Sequence, residues 1–164
     1  MIEVFENIFV GNEQDYCDIQ NLDNWAILHC CKHPFHCSFV GYRGSLNSNH
    51  PDYAYKRIDN EMALNLVDMD KYNGNYLEFN KAMFEAAFAF LDEYRNHGCR
   101  LLIHCNQGES RGPTVGMLYI SRLGAFDYVD FDATLPLYQV IYPLYNPKEN
   151  IFRTTQNLWS HFVK

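Results

Sequence analysis

Cys105 and Arg111 stand six residues apart in the run Leu-Leu-Ile-His-Cys-Asn-Gln-Gly-Glu-Ser-Arg-Gly-Pro-Thr-Val-Gly, residues 101–116. A cysteine attacks as its thiolate, and positive surroundings favour that form. Arg111 is a permanent cation whose planar fork matches two oxygens of a phosphate. The spacing alone says little, because the chain has six cysteines; the flanks give it meaning. Leu101, Leu102 and Ile103 make an apolar run of strand length, and Pro113 suits the first turn of a helix, where a missing N–H costs nothing. A loop entering a helix presents successive backbone N–H groups to an anion, and the helix end adds partial positive charge. Cys105 therefore reads as a nucleophile at the base of the loop. Arg111 reads as the clamp for the equatorial oxygens of a transferring phosphoryl group. Gly108 lets the backbone turn close to a ligand. Asn106, Gln107, Glu109 and Ser110 complete the phosphate-binding loop, and His104 can fix it through its ring nitrogens.

The elements that must hold this loop can be read around it. Residues 2–10 alternate apolar and polar side chains before Gly11-Asn12, which predicts an opening strand and a turn. Residues 25–31, Trp-Ala-Ile-Leu-His-Cys-Cys, predict a buried strand. Residues 35–55, with Gly41, Gly44, Pro51 and several Ser and Asn, predict a long loop. Residues 62–67 predict a strand stopped by Asp68-Met-Asp70-Lys, with Asn75 or a neighbour capping the next helix. Over residues 76–94 the apolar positions Leu77, Met83, Phe84, Ala87, Phe88 and Leu91 recur at helical spacing. Gly98 ends that helix, and the strand leading to Cys105 follows through a right-handed crossover. A helix over 113–123 closes at Gly124. Residues 127–140 are a candidate helix with Pro136 inside it, residues 142–147 a break, and residues 150–162 a last helix. The alternation predicts an α/β fold, a mostly parallel central sheet with helices on both faces.

Composition narrows the class. At 164 residues the chain is expected to form one domain with its own core, and 48% hydrophobic and 16% aromatic residues fit dense packing. A net charge of −7 and a pI near 5.4 argue against nucleic acid or an anionic membrane as partner. No signal peptide and no membrane-length apolar run is evident. The cysteines show no disulfide framework and Cys30 and Cys31 are adjacent, which predicts reduced thiols and a cytoplasmic location. Nothing in the composition speaks to the oligomeric state.

The segment His104-Cys105-x-x-Gly108-x-x-Arg111 resembles the signature of the cysteine-dependent protein tyrosine phosphatases. Its surroundings are similar to the small dual-specificity branch of bacterial and phage type. The resemblance implies a protein tyrosine phosphatase-like fold over residues 1–164, a phosphocysteine intermediate at Cys105 and no metal or other cofactor. Such chemistry needs an acid for the leaving oxygen and a base for the attacking water. Asp68 is the candidate for both, because it follows a strand parallel to the catalytic one and ligands gather beyond the carboxyl ends of parallel strands; the family places its general acid there. Asp70 is the alternative. The family usually has Ser or Thr after its arginine, and here Gly112 stands in that place. Slow hydrolysis of the intermediate is the expected consequence, unless Thr114 supplies a substitute hydroxyl.

Residues 29–37 hold six potential metal ligands, His29, Cys30, Cys31, His33, His36 and Cys37. No second Cys/His pair at finger spacing follows them, so no zinc site is expected. The loop after this strand should open on the same rim as Cys105, which makes Lys32, His33 and His36 candidate substrate contacts. The expected substrate is a phosphorylated protein, most of all phosphotyrosine and also phosphoserine or phosphothreonine. The alternatives are a small-molecule or nucleotide phosphomonoester, or a slow-turnover phosphate-binding module. Glu109 in the loop disfavours highly phosphorylated lipids and RNA triphosphate ends. A rhodanese-like or arsenate-reducing loop shares the Cys-Arg spacing but not the strand and helix upstream.

Overall fold

The computed structural model describes residues 1–127 and 130–164. Strands β1 (Ile2–Phe5), β2 (Ile8–Gly11), β3 (Trp25–His29), β4 (Tyr55–Ile58), β5 (Glu61–Leu64) and β6 (Arg100–His104) form one sheet in the order β1-β2-β6-β3-β5-β4. The four inner strands run parallel and the two edges antiparallel, in agreement with the expected α/β architecture. The helices are α1 (Glu13–Ile19), α2 (Cys37–Val40), α3 (Leu77–Asn96), α4 (Arg111–Arg122), α5 (Phe131–Ile141) and α6 (Glu149–Phe162).

Side chains alternate across a strand, and this divides the two central strands between two cores. Leu101, Ile103 and Cys105 face the larger core with Ala26, Leu28 and Cys30, under α3, α4 and α6. Leu102 and Ile27 face a smaller cluster with Trp25 and Ile19 of α1. On α3, Met83, Phe84, Ala87, Phe88 and Leu91 lie on the buried face. Full burial of one such large apolar side chain contributes about 1.5–3 kcal/mol, and this anchoring fixes the crossover from β5 to β6.

Several elements differ from the sequence expectation, each for a local reason. The single strand over residues 2–10 is a hairpin, with Asn7 at φ 58° in its turn. Gly11-Asn12 is no free turn: Asn12 accepts from the Asp15 N–H while Asp15 accepts from the Asn12 N–H, a capping box that starts α1. The expected loop over 35–55 contains α2 and leads into β4, an edge strand whose Lys56 and Arg57 hide any alternation. The strand over 62–67 ends at Leu64, and Leu66 instead offers its carbonyl to the Lys32 N–H. Tyr76, beside Asn75, is the N-cap residue of α3 but makes no side-chain cap bond, and Asn73 caps the short turn before it. Asp130 caps α5 through the N–H groups of Asp132 and Ala133, and Pro136 lies within that helix. The helix expected from 127 includes residues 128 and 129, which lie outside the described residues. Among the described residues no helix is long and apolar enough to cross a membrane.

Candidate active site

Residues 105–110 link the carboxyl end of β6 to the first turn of α4. Cys105 is 2% exposed at the base of this loop. Gly108 has φ 74°, and a Cβ there would lie 3.0 Å from the Gly11 carbonyl, so both the turn and the close approach of β2 require glycine. The loop is braced from outside. The Glu13 N–H at the start of α1 donates to the Asn106 carbonyl, Tyr142 Oη donates to the Gly108 carbonyl at 2.7 Å, and the Asn146 N–H donates to the Glu109 carbonyl. Gln107 and Glu109 point to solvent.

Arg111 folds back over the loop. Its Nη2 donates to Asn106 Oδ1 at 2.7 Å and its Nη1 to the Leu66 carbonyl at 3.1 Å. Its Nε is buried without a hydrogen-bond acceptor, 3.8 Å from Asp68 Oδ2, which is ion-pair distance only. Asp68 also accepts from Ser110 Oγ at 2.9 Å, and the same Ser110 oxygen accepts the Lys148 N–H. Asp68 is thus tied to the loop, whereas the Asp70 side chain is 86% exposed and paired with Lys148 Nζ at 3.0 Å.

The residues after β3 divide. Asn106 Nδ2 donates to the His33 carbonyl at 3.0 Å, which brings that segment against the loop that carries Cys105. Lys32 lines a cavity of about 310 Å³ with Leu66, Val67, Met69, Tyr76 and Asn80, beside the segment that carries Asp68. The His33 ring lies 3.3 Å from Cys37 Sγ. His36 is not on the rim. It is fully buried, with its ring nitrogens on Tyr42 Oη and the Asp52 carbonyl, and burial lowers its pKa.

His104 and Cys30 sit beneath the loop. Burial and the neighbouring His29 lower the His104 pKa from 6.5 to about 3. Burial pushes the Cys30 thiol well up, and that of Cys31 to about 12. The clustered ligand types of residues 29–37 separate to opposite sheet faces and to the following turn. Among the described residues no three His, Cys, Asp or Glu side chains are placed to hold a metal.

Sequence reasoning missed Glu13, Asn146 and Lys148, whose backbone N–H groups donate to the loop, and Tyr142, whose hydroxyl donates to a loop carbonyl. Such contacts leave no residue-type signature. The Asn12-Asp15 pair was the one available sign of α1.

No protein-family model matches the chain. The tyrosine-protein phosphatase vhp-1 of Caenorhabditis elegans is 42% identical over 50 residues, which is 30% of this chain and 8% of that protein. The chain therefore spans a small part of that relative's length. Among solved structures, that of DUSP15 superposes with a TM-score of 0.64 at 16% identity, covering 97% of this chain and 86% of that one. The human tyrosine phosphatase-like serine/threonine/tyrosine-interacting protein superposes with a TM-score of 0.63, also at 16% identity, covering 99% and 97%.

Proposed function

We propose that this chain, whose fold is that of the dual-specificity phosphatases, is a single cysteine-dependent phosphatase domain that hydrolyses phosphomonoesters through a phosphocysteine at Cys105. One observation supports this most: Arg111 and Asp68 meet over the loop that carries Cys105 at its base. The Cys105 thiolate attacks phosphorus, the S–P bond forms and the P–O ester bond breaks. Asp68 gives its proton to the leaving oxygen. Water then attacks the phosphocysteine, Asp68 takes the water proton, and the thiolate leaves. The loop amides and the Arg111 Nε, which has no hydrogen-bond acceptor in the fold, are donors for the equatorial oxygens as they gather charge.

The substrate is a phosphorylated protein, with phosphotyrosine foremost and phosphoserine or phosphothreonine next. Lys32 and the cavity beside Asp68 are where the residues flanking the phosphate would lie. A small-molecule phosphomonoester is the competing substrate class. The test is phosphate release from phosphotyrosine, phosphoserine and nucleotide substrates with a chelator present. Release from phosphopeptides by the wild type and none by Cys105→Ser is the expected result. Release from nucleotides alone would move the substrate to the second class, and release by the Cys105→Ser protein would remove the mechanism.

A slow second step is the other reading, and Gly112 with Thr114 favours it. Gly112 brings no hydroxyl. Thr114 donates its hydroxyl to the Ser110 carbonyl at 2.7 Å and shares it with Tyr145 Oη at 3.2 Å. Neither is left to stabilise the departing thiolate of Cys105.

A further inference from the structure

His29 and His104 are register partners on adjacent strands, on the face of the sheet opposite the Cys105 side chain. Both are fully buried. His104 Nδ1 lies 3.3 Å from the Cys105 carbonyl oxygen, His104 Nε2 lies 2.6 Å from His29 Nδ1, and His29 Nε2 lies 2.8 Å from Glu61 Oε2. Tyr16 Oη donates to that same Glu61 oxygen at 3.3 Å. The rings of Tyr16, Phe35 and Phe39 pack around the two imidazoles and shield them from bulk solvent.

A count of protons singles this array out. Both ends are acceptors: the Cys105 carbonyl at one and the Glu61 oxygen, already taking the Tyr16 proton, at the other. Three contacts lie between them, while two neutral imidazoles carry one N–H each. One contact must go without a proton. With Glu61 as carboxylate, His29 Nε2–H donates to it and His104 Nε2–H donates to His29. His104 Nδ1 then turns a lone pair on the Cys105 carbonyl, and this contact is the longest of the three.

We propose that His29 and Glu61 are positioning residues that act through His104 on the catalytic loop. Uptake of one proton by the array turns His104 Nδ1–H into a donor to the Cys105 carbonyl and locks the backbone that carries the nucleophile. The proton enters from solvent at Glu61, the one partly exposed member at 19%. Burial lowers the pKa of His29, with Glu61 pulling it back up, so uptake occurs as the pH falls below the ordinary imidazole value. The other ionisable groups around the array do not compete. Burial raises Tyr16 of α1 and Cys31 beyond β3 each to about 12, so both stay neutral. Glu13 of α1 faces Asn106, Lys32 lines the cavity, and His33 lies against Cys37. On the neighbouring β4, Lys56 is held by Asp52 and Arg57 by Glu93. The inference rests on Cys105 being the nucleophile, but its first readout needs no turnover.

Glu61→Gln is the discriminating variant. A Gln amide offers an N–H to His29 Nε2, which reverses the array: His29 Nδ1–H donates to His104, and His104 Nδ1–H to the Cys105 carbonyl, with no added proton. Nitrogen–proton correlation spectra of the imidazoles across pH read this directly. The expected result is a His104 protonated on Nε2 at alkaline pH in the wild type and changing on acidification, against Nδ1 protonation throughout in Glu61→Gln. The rate of Cys105 alkylation against pH should show one inflection fewer in the variant. The same His104 tautomer in both proteins, or alkylation profiles of one shape, would overturn the proposal. If Glu61→Gln does not fold, the wild-type titration decides alone, and a His104 tautomer that never changes overturns it. Tautomers that behave as expected in a protein that hydrolyses no phosphomonoester would leave the array standing and remove the phosphatase reading instead.

Discussion

Gly112 shows how tightly the loop is built at the level of single residues. A Cβ there would stand 2.8 Å from the His104 carbonyl carbon and 2.9 Å from the Cys105 nitrogen, so no side chain enters without moving the backbone that holds Cys105. A Gly112→Ser variant would therefore report on that displacement as well as on the hydroxyl it adds. The two aspartates allow a cleaner comparison. Asp68→Asn should lower kcat for phosphotyrosine by about 10²-fold or more, the range expected of a lost general acid. The loss should shrink for an ester whose leaving group needs no proton. Asp70→Asn, changing an exposed carboxylate paired with Lys148, should stay within roughly twofold. Steady-state rates for the two variants on both esters are the check, and the larger loss at Asp70 would transfer the role.

At the level of elements, the unit from β5 through α3 to β6 and α4 was legible because its signals are strong and local. A continuous apolar run marks β6, the apolar face of α3 repeats over several turns, and Pro113 falls at the start of α4. The placement of Cys105, Arg111 and Asp68 beyond strand ends follows from that unit. The rest was harder to read for physical reasons. Helix α1 has seven residues with only Ile19 buried, too short for its periodicity to stand out. Strand β4 is exposed on both faces, so alternation is absent. His36 sits in a segment rich in turn residues, yet it packs inside through bonds to Tyr42 and Asp52 that only the folded chain brings near. The C-terminal helices also do more than their sequence suggests, since Tyr142, beyond α5, holds the Gly108 carbonyl from a buried position. Tyr142→Phe should cost about 1–3 kcal/mol by leaving that acceptor unpaired. Denaturant unfolding measures the cost, and an unchanged midpoint would show that the brace contributes nothing.

At the level of the whole molecule, buried histidines link the fold to pH. His104 has its pKa lowered from 6.5 to about 3, mainly by burial, and His29 and His36 are lowered for the same reason. In the window between those values the unfolded chain binds more protons than the folded one, so stability rises with pH. The stabilisation is complete above about 6.5 and is lost as the pH falls toward 3. Urea midpoints measured across this window should fall steadily on acidification; a flat profile would contradict neutral buried imidazoles. The proposed phosphocysteine at Cys105 would be visible in the first turnover. Rapid mixing with a phosphotyrosine substrate, a denaturing quench and mass analysis of the peptide that holds Cys105 would show it. A burst of released phenol matched by phosphate on Cys105, followed by a slower steady rate, is the expected result. Product formed with no phosphate on that peptide at any quench time would contradict it.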